Sequence, residues 1–254
     1  MTEDDILLAQ RLADAAGAAI RPLFRQRFEI ESKADASPVT QADRAAEGAM
    51  RAILEADRPA DGIVGEEYGP AREDAGRVWV LDPIDGTRSF IAGRPIFGTL
   101  IALIEAGRPV LGVIDQPIAH ERWLGAAGRL TTLNGRGART RPCAALADAH
   151  VATTGPTYFT PDERARFETV AAAARDTLWG GDCYNYALLA SGHLDLVVEA
   201  GLQLYDFAAL VPVVEGAGGV MRGWTGAPLT TASDGRVVAF GDASFADAVY
   251  ALLG

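Results

Sequence analysis

The segment Val78-Trp79-Val80-Leu81-Asp82-Pro83-Ile84-Asp85-Gly86-Thr87 joins an apolar run to a short acidic turn. Its four leading apolar residues predict a strand that is buried on both faces. Pro83 has no N–H group to donate, so we expect strand pairing to stop there. Asp82 and Asp85 lie on either side of the Pro-Ile pair. If both face one pocket, their mutual repulsion favours a divalent cation between them.

The residues after Asp85 predict an anion site beside that cation. Gly86 lets the backbone approach a ligand closely, and the amides of Gly86, Thr87 and Arg88 are expected to form an anion-binding nest or a helix start for a phosphate. The D-P-x-D-G pattern is also ordinary surface-turn chemistry. The long apolar segment that follows, 96–104, favours a turn deep inside the fold.

The composition is that of an acidic folded protein. The 254 residues include 34 acidic and 23 basic side chains, for a net charge of -11, which argues against nucleic acid or an anionic membrane surface as the main partner. A hydrophobic content of 49% suffices for one large α/β domain or two packed halves. Cys143 and Cys183 lack metal-ligand spacing, so we expect reduced thiols and a cytoplasmic protein. The acidic start of the chain resembles neither a signal peptide nor a membrane span.

Two helices are predicted before the acidic strands. Apolar residues at helical spacing predict the first up to about residue 27, and an extended segment is expected over 28–32. Thr40 and Asp43 have the spacing of a capping box at the start of the second helix. Asp43 therefore has two interpretations, a helix cap or a role in the site.

A second strand is predicted to deliver acids to the same edge as Asp82. The segment 61–69 contains a short apolar run that ends in Glu66 and Glu67. Adjacent glutamates are common on exposed loops, so this pair alone is weak support. Together with Asp82 and Asp85 it predicts a site for a hard cation, because Mg²⁺ prefers carboxylate, carbonyl and water oxygens.

The predicted pattern of secondary structure changes near the middle of the chain. Apolar runs and breaks over 96–126 predict a meander of antiparallel strands. We expect a single domain with an internal seam near 133–148, between an N-terminal α+β half (1–140) and a C-terminal α/β half (141–254). Later, Asp206 lies in the first turn of a very apolar helix. It is expected to cap that helix or, if buried with it, to need a partner.

Three motifs of the chain resemble those of a known family. They are Gly65-Glu66-Glu67, the run 79–87, and the run from Tyr205-Asp206 through Ala217-Gly218-Gly219. In this order they resemble the signature motifs of the metal-dependent, lithium-sensitive sugar-phosphatase superfamily, whose best-known member is inositol monophosphatase. The likeness covers essentially the whole chain. It implies an α/β fold layered as an α-β-α-β-α sandwich, hydrolysis of small phosphomonoesters, dependence on two or three Mg²⁺ ions, and a homodimer.

The resemblance also implies roles for individual residues. The implied metal ligands are Glu66, Asp82, Asp85, Asp206 and the carbonyl of Ile84. The implied catalytic residues are Thr87 and Asp43, which would orient and deprotonate the attacking water, together with Glu66. Gly86 and Thr87 would contact the phosphate. Lys33 lies near a family loop lysine, although its spacing to Asp43 differs by one residue.

Other segments resemble the histidinol-phosphatase branch of the superfamily. They are 85–90, 97–100 and 180–184. Asp182 adds a carboxylate near the place where the family binds its substrate, and Glu199 adds another. Arg88 is assigned to the substrate as well. Histidinol phosphate carries an ammonium and an imidazole, so acidic groups opposite its phosphate make physical sense.

Alternatives to this function and to these roles stay open. Asp182 could instead cap the helix that begins near Tyr184. The substrate could be inositol phosphate, a sugar bisphosphate or a nucleotide 3′-phosphate. The chain could also be a metal- or phosphate-binding regulator without catalysis. His120, His150 and His193 lie outside the three motifs and are expected to be structural or exposed.

Overall fold

The computed structural model describes residues 1–26, 31–32 and 38–254, with the backbone alone at 31–32 and 38–39. Lys33 and most of the predicted extended segment 28–32 lie outside the described residues. The helices are α1 Glu3–Ile20, α2 Gln41–Asp57, α3 Thr87–Ile91, α4 Pro161–Ala173, α5 Tyr184–Ala190, α6 Leu204–Phe207, α7 Leu210–Gly216 and α8 Ala246–Leu253.

The strands belong to three sheets. A small ladder pairs β1 Glu31–Ser32 with β2 Pro38–Val39. The strands of the large sheet are β3 Gly62–Gly65, β4 Gly69–Ala71, β5 Arg77–Asp85, β6 Gly98–Glu105, β7 Arg108–Gln116, β8 Glu121–Ala126, β9 Thr132–Leu133 and β10 Arg136–Gly137, in the order β10-β9-β8-β7-β6-β5-β3-β4. Those of the other sheet are β11 His150–Thr153, β12 Asp176–Trp179, β13 Leu196–Glu199, β14 Val220–Gly223 and β15 Val237–Phe240, in the order β12-β11-β13-β15-β14.

Three hydrophobic clusters stack these elements into five layers. The first, with Leu12 and Trp79, fills the space between α1 and α2 and one face of the large sheet. The second, with Val80 and Val213, packs α5, α6 and α7 between the two sheets. The third, with Phe167, joins α4 and α8 to the far face of the second sheet. This is the predicted α-β-α-β-α sandwich.

Strand β5 is buried on both faces, as predicted. Trp79 and Leu81 face α1 and α2, whereas Val78 and Val80 face the central helices. Side chains alternate along a strand, so Asp82 follows Val80 towards the central helices.

The prediction that pairing stops at Pro83 was wrong. After Asp82 the ladder between β5 and β6 is interrupted by a bulge, and it resumes where Asp85 pairs with Gly98. Pro83 still takes part, because its carbonyl accepts a hydrogen bond from Thr99 Oγ1 at 2.8 Å. The missing N–H of Pro83 therefore produces a local bulge that changes the direction of the chain. The strand does not end there.

Two predicted helices are shorter than their apolar patterns, and a proline accounts for each. Helix α1 ends at Ile20 and a 3₁₀ turn continues to Leu23, because Pro22 cannot donate to the carbonyl four residues earlier. The predicted helix from Leu204 is divided into α6 and α7, because Pro212 likewise leaves the carbonyl of Ala208 without its helical donor.

The two sheets divide the chain near the predicted seam. The large sheet ends with β10 and the second begins with β11, so residues 138–149 connect them. Asp195 is 1% exposed and anchors this connection by accepting two hydrogen bonds from Arg141 and one from the His150 amide. The division into two halves stays an interpretation. Within the described residues, no helix combines the length and apolar character needed to cross a membrane.

Candidate active site

Parallel pairing of β3 and β5 brings the first two acids together. Gly65 lies opposite Leu81 in this pair, and the Glu66 amide donates to the Leu81 carbonyl at 3.1 Å. Because the carboxyl ends of parallel strands meet at one edge, Glu66 lies beside Asp82. The prediction that neighbouring strands deliver acids to one edge is confirmed.

The turn after Asp82 becomes the start of helix α3. Asp82 Oδ1 accepts a hydrogen bond from the Ile84 amide at 3.0 Å, which fixes the turn. Gly86 is the N-cap of α3 and has φ 86° and ψ 40°, a left-handed conformation that favours glycine. Of the two forms predicted for this segment, the structure has the helix start. Amides in the first turn of a helix lack carbonyl partners within it and suit an anion.

Asp206 reaches the same site from α6. Its Oδ2 accepts a hydrogen bond from the Gln203 amide at 2.6 Å and closes a capping box. Carboxylate oxygens of Asp82, Asp85 and Asp206 all lie within 4.8 Å of one another. Asp206 thus caps its helix and joins the acidic cluster, so the two interpretations of this residue are compatible. It is half-buried rather than enclosed.

Burial and like charges raise the pKa of two of these acids. For Asp82, burial is the largest cause, followed by the charges of Glu66, Asp85 and Asp206. The pKa of Asp85 is also well above its usual value, through burial and the charges of Asp182 and Asp206, although hydrogen bonding to Cys183 opposes the rise. Without a cation among these carboxylates, burial and mutual repulsion therefore favour the protonated, neutral form of Asp82 and Asp85.

The donor set fits a hard divalent cation. Asp82 is 1% exposed, the end of β5 and helix α6 supply the clustered carboxylates, and Glu66 after β3 is close enough for its charge to act on Asp82. Oxygen donors of this kind suit Mg²⁺, and a cation among them would remove the repulsion that raises the pKa values. The carbonyl of Ile84, the predicted fifth ligand, lies 3.2 Å from Thr87 Oγ1.

Asp43 serves as a helix cap and also faces Thr87. Its Oδ2 accepts hydrogen bonds from the amide and hydroxyl of Thr40, so the predicted capping box is present. Its Oδ1 lies 3.4 Å from Thr87 Oγ1. Burial, with the charge of Glu66, raises the pKa of Asp43 despite the hydrogen bonds from Thr40, which lower it. The catalytic roles of Thr87 and Asp43 stay predictions, but a single hydrogen bond can connect them.

These acids line a cavity of about 260 Å³ between the two sheets. The side chains and backbone around it come from Glu66, Asp82, Ile84, Asp85, Gly86, Thr87, Arg88, Thr154, Tyr158, Asp182, Glu199, Gly201, Leu202, Gln203, Tyr205 and Asp206. Arg88 is the basic residue among these described lining residues. Its guanidinium lies over the ring of Tyr158, 5.7 Å from the centroid, at the exposed mouth of the cavity.

Asp182 lies in the wall of the cavity next to α3. Its Oδ2 accepts a hydrogen bond from Ser89 Oγ at 2.7 Å. Burial raises the pKa of Asp182, against the lowering effects of Ser89, Arg94 and Arg88. The alternative that Asp182 caps the following helix was wrong, because the N-cap of α5 is Cys183 and the Cys183 amide donates to Asp85 Oδ2, at 2.5 Å, rather than to Asp182.

Glu199 closes the inner end of the cavity and is 2% exposed. Its Oε1 accepts hydrogen bonds from the amide and hydroxyl of Thr154, at 2.6 and 2.9 Å, and its Oε2 from Thr153 Oγ1 at 3.2 Å. Burial raises the pKa of Glu199 to about 7, opposed by Thr154 and Thr153 and assisted by the charge of Asp182. A group with this pKa changes its charge near neutral pH.

Four residues of the site and its wall were not predicted as site residues from the sequence: Thr154, Ser89, Tyr158 and Tyr205. A signal existed for Thr154, because it follows β11 as Glu66 follows β3, and β11 pairs in parallel with β13, which ends at Glu199. The role of Ser89 could not be predicted from local sequence, because its partner Asp182 is 93 positions away along the chain.

The three histidines lie outside the cavity lining, whereas Cys183 borders the site, because its amide donates to Asp85 Oδ2 at 2.5 Å. His120 and His193 are exposed, and His150 Nδ1 lies 2.6 Å from Asp176 Oδ1. Both cysteines are free thiols, as predicted. Burial, together with the charge of Asp85, raises the pKa of the Cys183 thiol well above its usual value.

The model of the inositol monophosphatase family matches residues 2–252. The chain belongs to this family. The "Bifunctional phosphatase IMPL2, chloroplastic" of Arabidopsis thaliana is 54% identical over 217 residues, which cover 85% of this chain and 63% of the relative. The chain thus spans less than two thirds of the length of that relative. The "Histidinol-phosphatase" of Mycobacterium tuberculosis is 38% identical over 226 residues, which cover 86% of this chain and 87% of the relative.

A solved structure of an inositol monophosphatase from Zymomonas mobilis is similar over nearly the whole length. Its TM-score is 0.92 at 58% identity, and the match covers 99% of this chain and 98% of that chain. The predicted family and fold are therefore confirmed. The inositol monophosphatase family consists of metal-dependent phosphatases, which places this chain among the phosphoric monoester hydrolases.

Proposed function

We propose that the chain hydrolyses L-histidinol phosphate to histidinol and phosphate with Mg²⁺ at the acidic cluster. The observation that carries this proposal is the surplus of acid in the cavity. Glu66, Asp82, Asp85 and Asp206 are enough for a metal site, yet Asp182 and Glu199 line the same space. A substrate with a cationic end explains those two carboxylates better than a neutral polyol does.

Glu66, Asp82, Asp85, Asp206 and the Ile84 carbonyl would hold two or three Mg²⁺ ions. When bound, Mg²⁺ supplies Lewis-acid polarisation of the phosphoryl group and a water of lowered pKa. The backbone at Gly86 and Thr87 orients the phosphate, since this helix start offers amides to an anion. Arg88 at the exposed mouth attracts the phosphorylated substrate.

Thr87 and Asp43 act on the attacking water. Thr87 Oγ1 can donate its proton to Asp43 Oδ1, which leaves a lone pair on the hydroxyl to accept a hydrogen bond from water. As the water gives a proton to Thr87 Oγ1, Thr87 passes its own hydroxyl proton to Asp43, and the raised pKa of Asp43 makes it a better base than an ordinary aspartate. Glu66 contributes a further carboxylate, whose charge acts on both Asp82 and Asp43.

Asp182 and Glu199 would receive the ammonium and the imidazole of the substrate. Each already accepts hydrogen bonds from serine or threonine, which fixes its carboxylate without neutralising it. A held carboxylate loses little side-chain freedom when a cation arrives, so charge and preorganisation both favour binding.

A panel of phosphomonoesters tests the substrate. Phosphate release in Mg²⁺ should give a higher kcat/KM for histidinol phosphate than for inositol 1-phosphate, a sugar bisphosphate or a nucleotide 3′-phosphate. A clear preference for inositol 1-phosphate would overturn the substrate and leave the metal site standing. If the chain binds Mg²⁺ but hydrolyses none of these phosphomonoesters, the alternative of a metal- or phosphate-binding regulator without catalysis would be favoured.

We also propose that the chain forms a homodimer and acts in the cytoplasm. The edge strand β12 supports a partner chain, because Leu178 and Trp179 are 46% and 50% exposed there. Light scattering should give twice the mass of the chain, and Trp179→Asp should shift the protein towards the monomer. A monomeric wild-type protein at micromolar concentration would contradict the dimer.

A further inference from the structure

Helix α2 contacts the backbone of residues 67–68, next to the predicted metal ligand Glu66, through a buried carboxylate to which no role has been assigned so far. Glu47 is fully buried on the face of α2 that also carries Asp43, one turn earlier. Its Oε2 accepts a hydrogen bond from the Glu67 amide at 2.7 Å, and its Oε1 accepts one from the Tyr68 amide at 3.2 Å. These are the two amides that directly follow Glu66.

Arg51 completes this contact. Its Nε donates to Glu47 Oε1 at 2.7 Å, and its Nη2 donates to the Gly69 carbonyl. Glu47 also occupies the space beside Gly65, so that a Cβ at Gly65 would collide with the Glu47 carboxylate. The backbone on both sides of Glu66 is therefore held against α2, by contact on one side and by hydrogen bonds on the other.

We propose that Glu47 is a positioning residue that sets the place of Glu66 at the metal site. It does not touch the cluster of Asp82, Asp85 and Asp206, and it acts through the backbone of 66–68. Because Asp43 and Glu47 share one face of α2, the same helix fixes the base near Thr87 and the loop that carries a metal ligand. Partners that hold ligands in place typically change metal affinity by about 10- to 100-fold when removed.

Glu47→Gln tests the proposal, which rests on the metal-dependent function proposed above. The substitution replaces one accepting oxygen with an NH₂ group, so at least one of the three donors loses its acceptor. Calorimetric titration of the metal-free full chain should show that the Kd for Mg²⁺ rises by about 10- to 100-fold. Most of kcat should return at saturating Mg²⁺. Hydrogen exchange at the Glu67 and Tyr68 amides should become faster in the metal-free variant.

Asp195→Asn is the matched control, because Asp195 is a buried carboxylate that likewise binds an arginine and a backbone amide. It precedes β13, at the end opposite Glu199. The substitution should lower Tm and leave the Kd for Mg²⁺ unchanged. If Glu47→Gln does not fold, Glu47→Asp replaces it, since that variant keeps the charge but withdraws the carboxylate by one methylene.

The outcomes separate this inference from the proposed function. A wild-type Kd in the Glu47 variant, or an equal loss of affinity in both variants, would overturn the positioning role while the metal site stands. A wild-type chain that binds no Mg²⁺ would overturn the proposed function, and the positioning role with it. A selective loss of affinity in the Glu47 variant supports both.

Discussion

Gly86 and Asp182 lie so close together that a Cβ at Gly86 would stand 2.6 Å from Asp182 Oδ2. Gly86 also has φ 86°, so a larger residue would be strained there even with more space. The turn that carries the proposed metal ligands and phosphate-binding amides is thereby packed directly against the loop that carries the proposed substrate carboxylate. Glycine is the residue that allows this contact.

Gly86→Ala should therefore damage activity more than stability. We expect the clash to displace the α3 start or Asp182, and a displacement of about 1 Å in a site can lower kcat/KM by roughly 10²-fold. Gly107→Ala is the control, because Gly107 has φ 76° and nothing within 4 Å of its Cβ position. It should lose about 1 to 2 kcal/mol of stability and keep its kcat/KM. Equal losses of kcat/KM in the two variants would mean that the contact with Asp182 is irrelevant.

Thr87→Ala should lower kcat by about 10²-fold or more, the scale of general-base assistance, with little change in the Kd for Mg²⁺. The hydroxyl lies within hydrogen-bonding distance of Asp43 Oδ1 and the Ile84 carbonyl, and alanine offers neither contact. Thr87→Ser keeps the hydroxyl and should keep most of kcat. If KM alone changes in steady-state assays, Thr87 binds substrate rather than activating water.

Asp82→Asn should stabilise the metal-free protein at pH 8. Burial and neighbouring acids raise the folded-state pKa of Asp82 above its unfolded value near 4. A raised acid pKa means that the folded state binds more protons, so stability is greatest below the unfolded pKa and falls as pH rises through the folded pKa. In chelator at pH 8 we expect a Tm at least about 3 °C above wild type, the shift expected for about 1 kcal/mol in a chain of this size.

The gain should shrink as pH is lowered towards 5, and saturating Mg²⁺ should reverse it by stabilising the wild type more strongly. Asp195→Asn provides the opposite case. Hydrogen bonds from Arg141 and His150 outweigh burial and lower the pKa of Asp195, so this variant should be less stable at pH 8. A metal-free Asp82→Asn protein that melts below wild type at pH 8 would contradict the repulsive cluster.

Asp182→Asn should reduce kcat/KM for histidinol phosphate by about 10- to 150-fold, which corresponds to a charge-assisted hydrogen bond of about 1.5 to 3 kcal/mol. A neutral aryl phosphate offers this carboxylate no cation, so its kcat/KM should change little. Ser89→Ala removes the hydrogen bond that holds Asp182 but keeps the charge, and it should alter the ratio between the two substrates less. Equal losses on both substrates in Asp182→Asn would assign Asp182 to the shape of the site.

The sequence was sufficient to predict where the acids meet. Two apolar runs that each end in acids predict neighbouring strands with carboxylates at one edge, and this information is local to each run. The structure adds that the two strands pair in parallel. The capping box of Thr40 and Asp43 was equally local. The interruptions at Pro83 and Pro212 were harder to predict, because a missing N–H can end an element, bend it or divide it according to what packs nearby.

The contacts that complete the site come from far along the chain. Ser89 meets Asp182, and Glu47 meets the amides after Glu66, only once the layers are packed. Tyr158 reaches the cavity from a 3₁₀ turn with no distinctive pattern. Such pairs depend on tertiary packing rather than on periodicity or turn chemistry, so a single sequence does not reveal them.

The most direct measurement of the central claim is phosphate release from histidinol phosphate by one preparation before chelation, in chelator, and after excess Mg²⁺ is added back. In the wild type, release should stop in chelator and return with Mg²⁺. In Asp206→Asn, which removes one of the three clustered carboxylates, it should stay low at every Mg²⁺ concentration. Undiminished release in chelator would contradict hydrolysis that depends on Mg²⁺ at the acidic cluster.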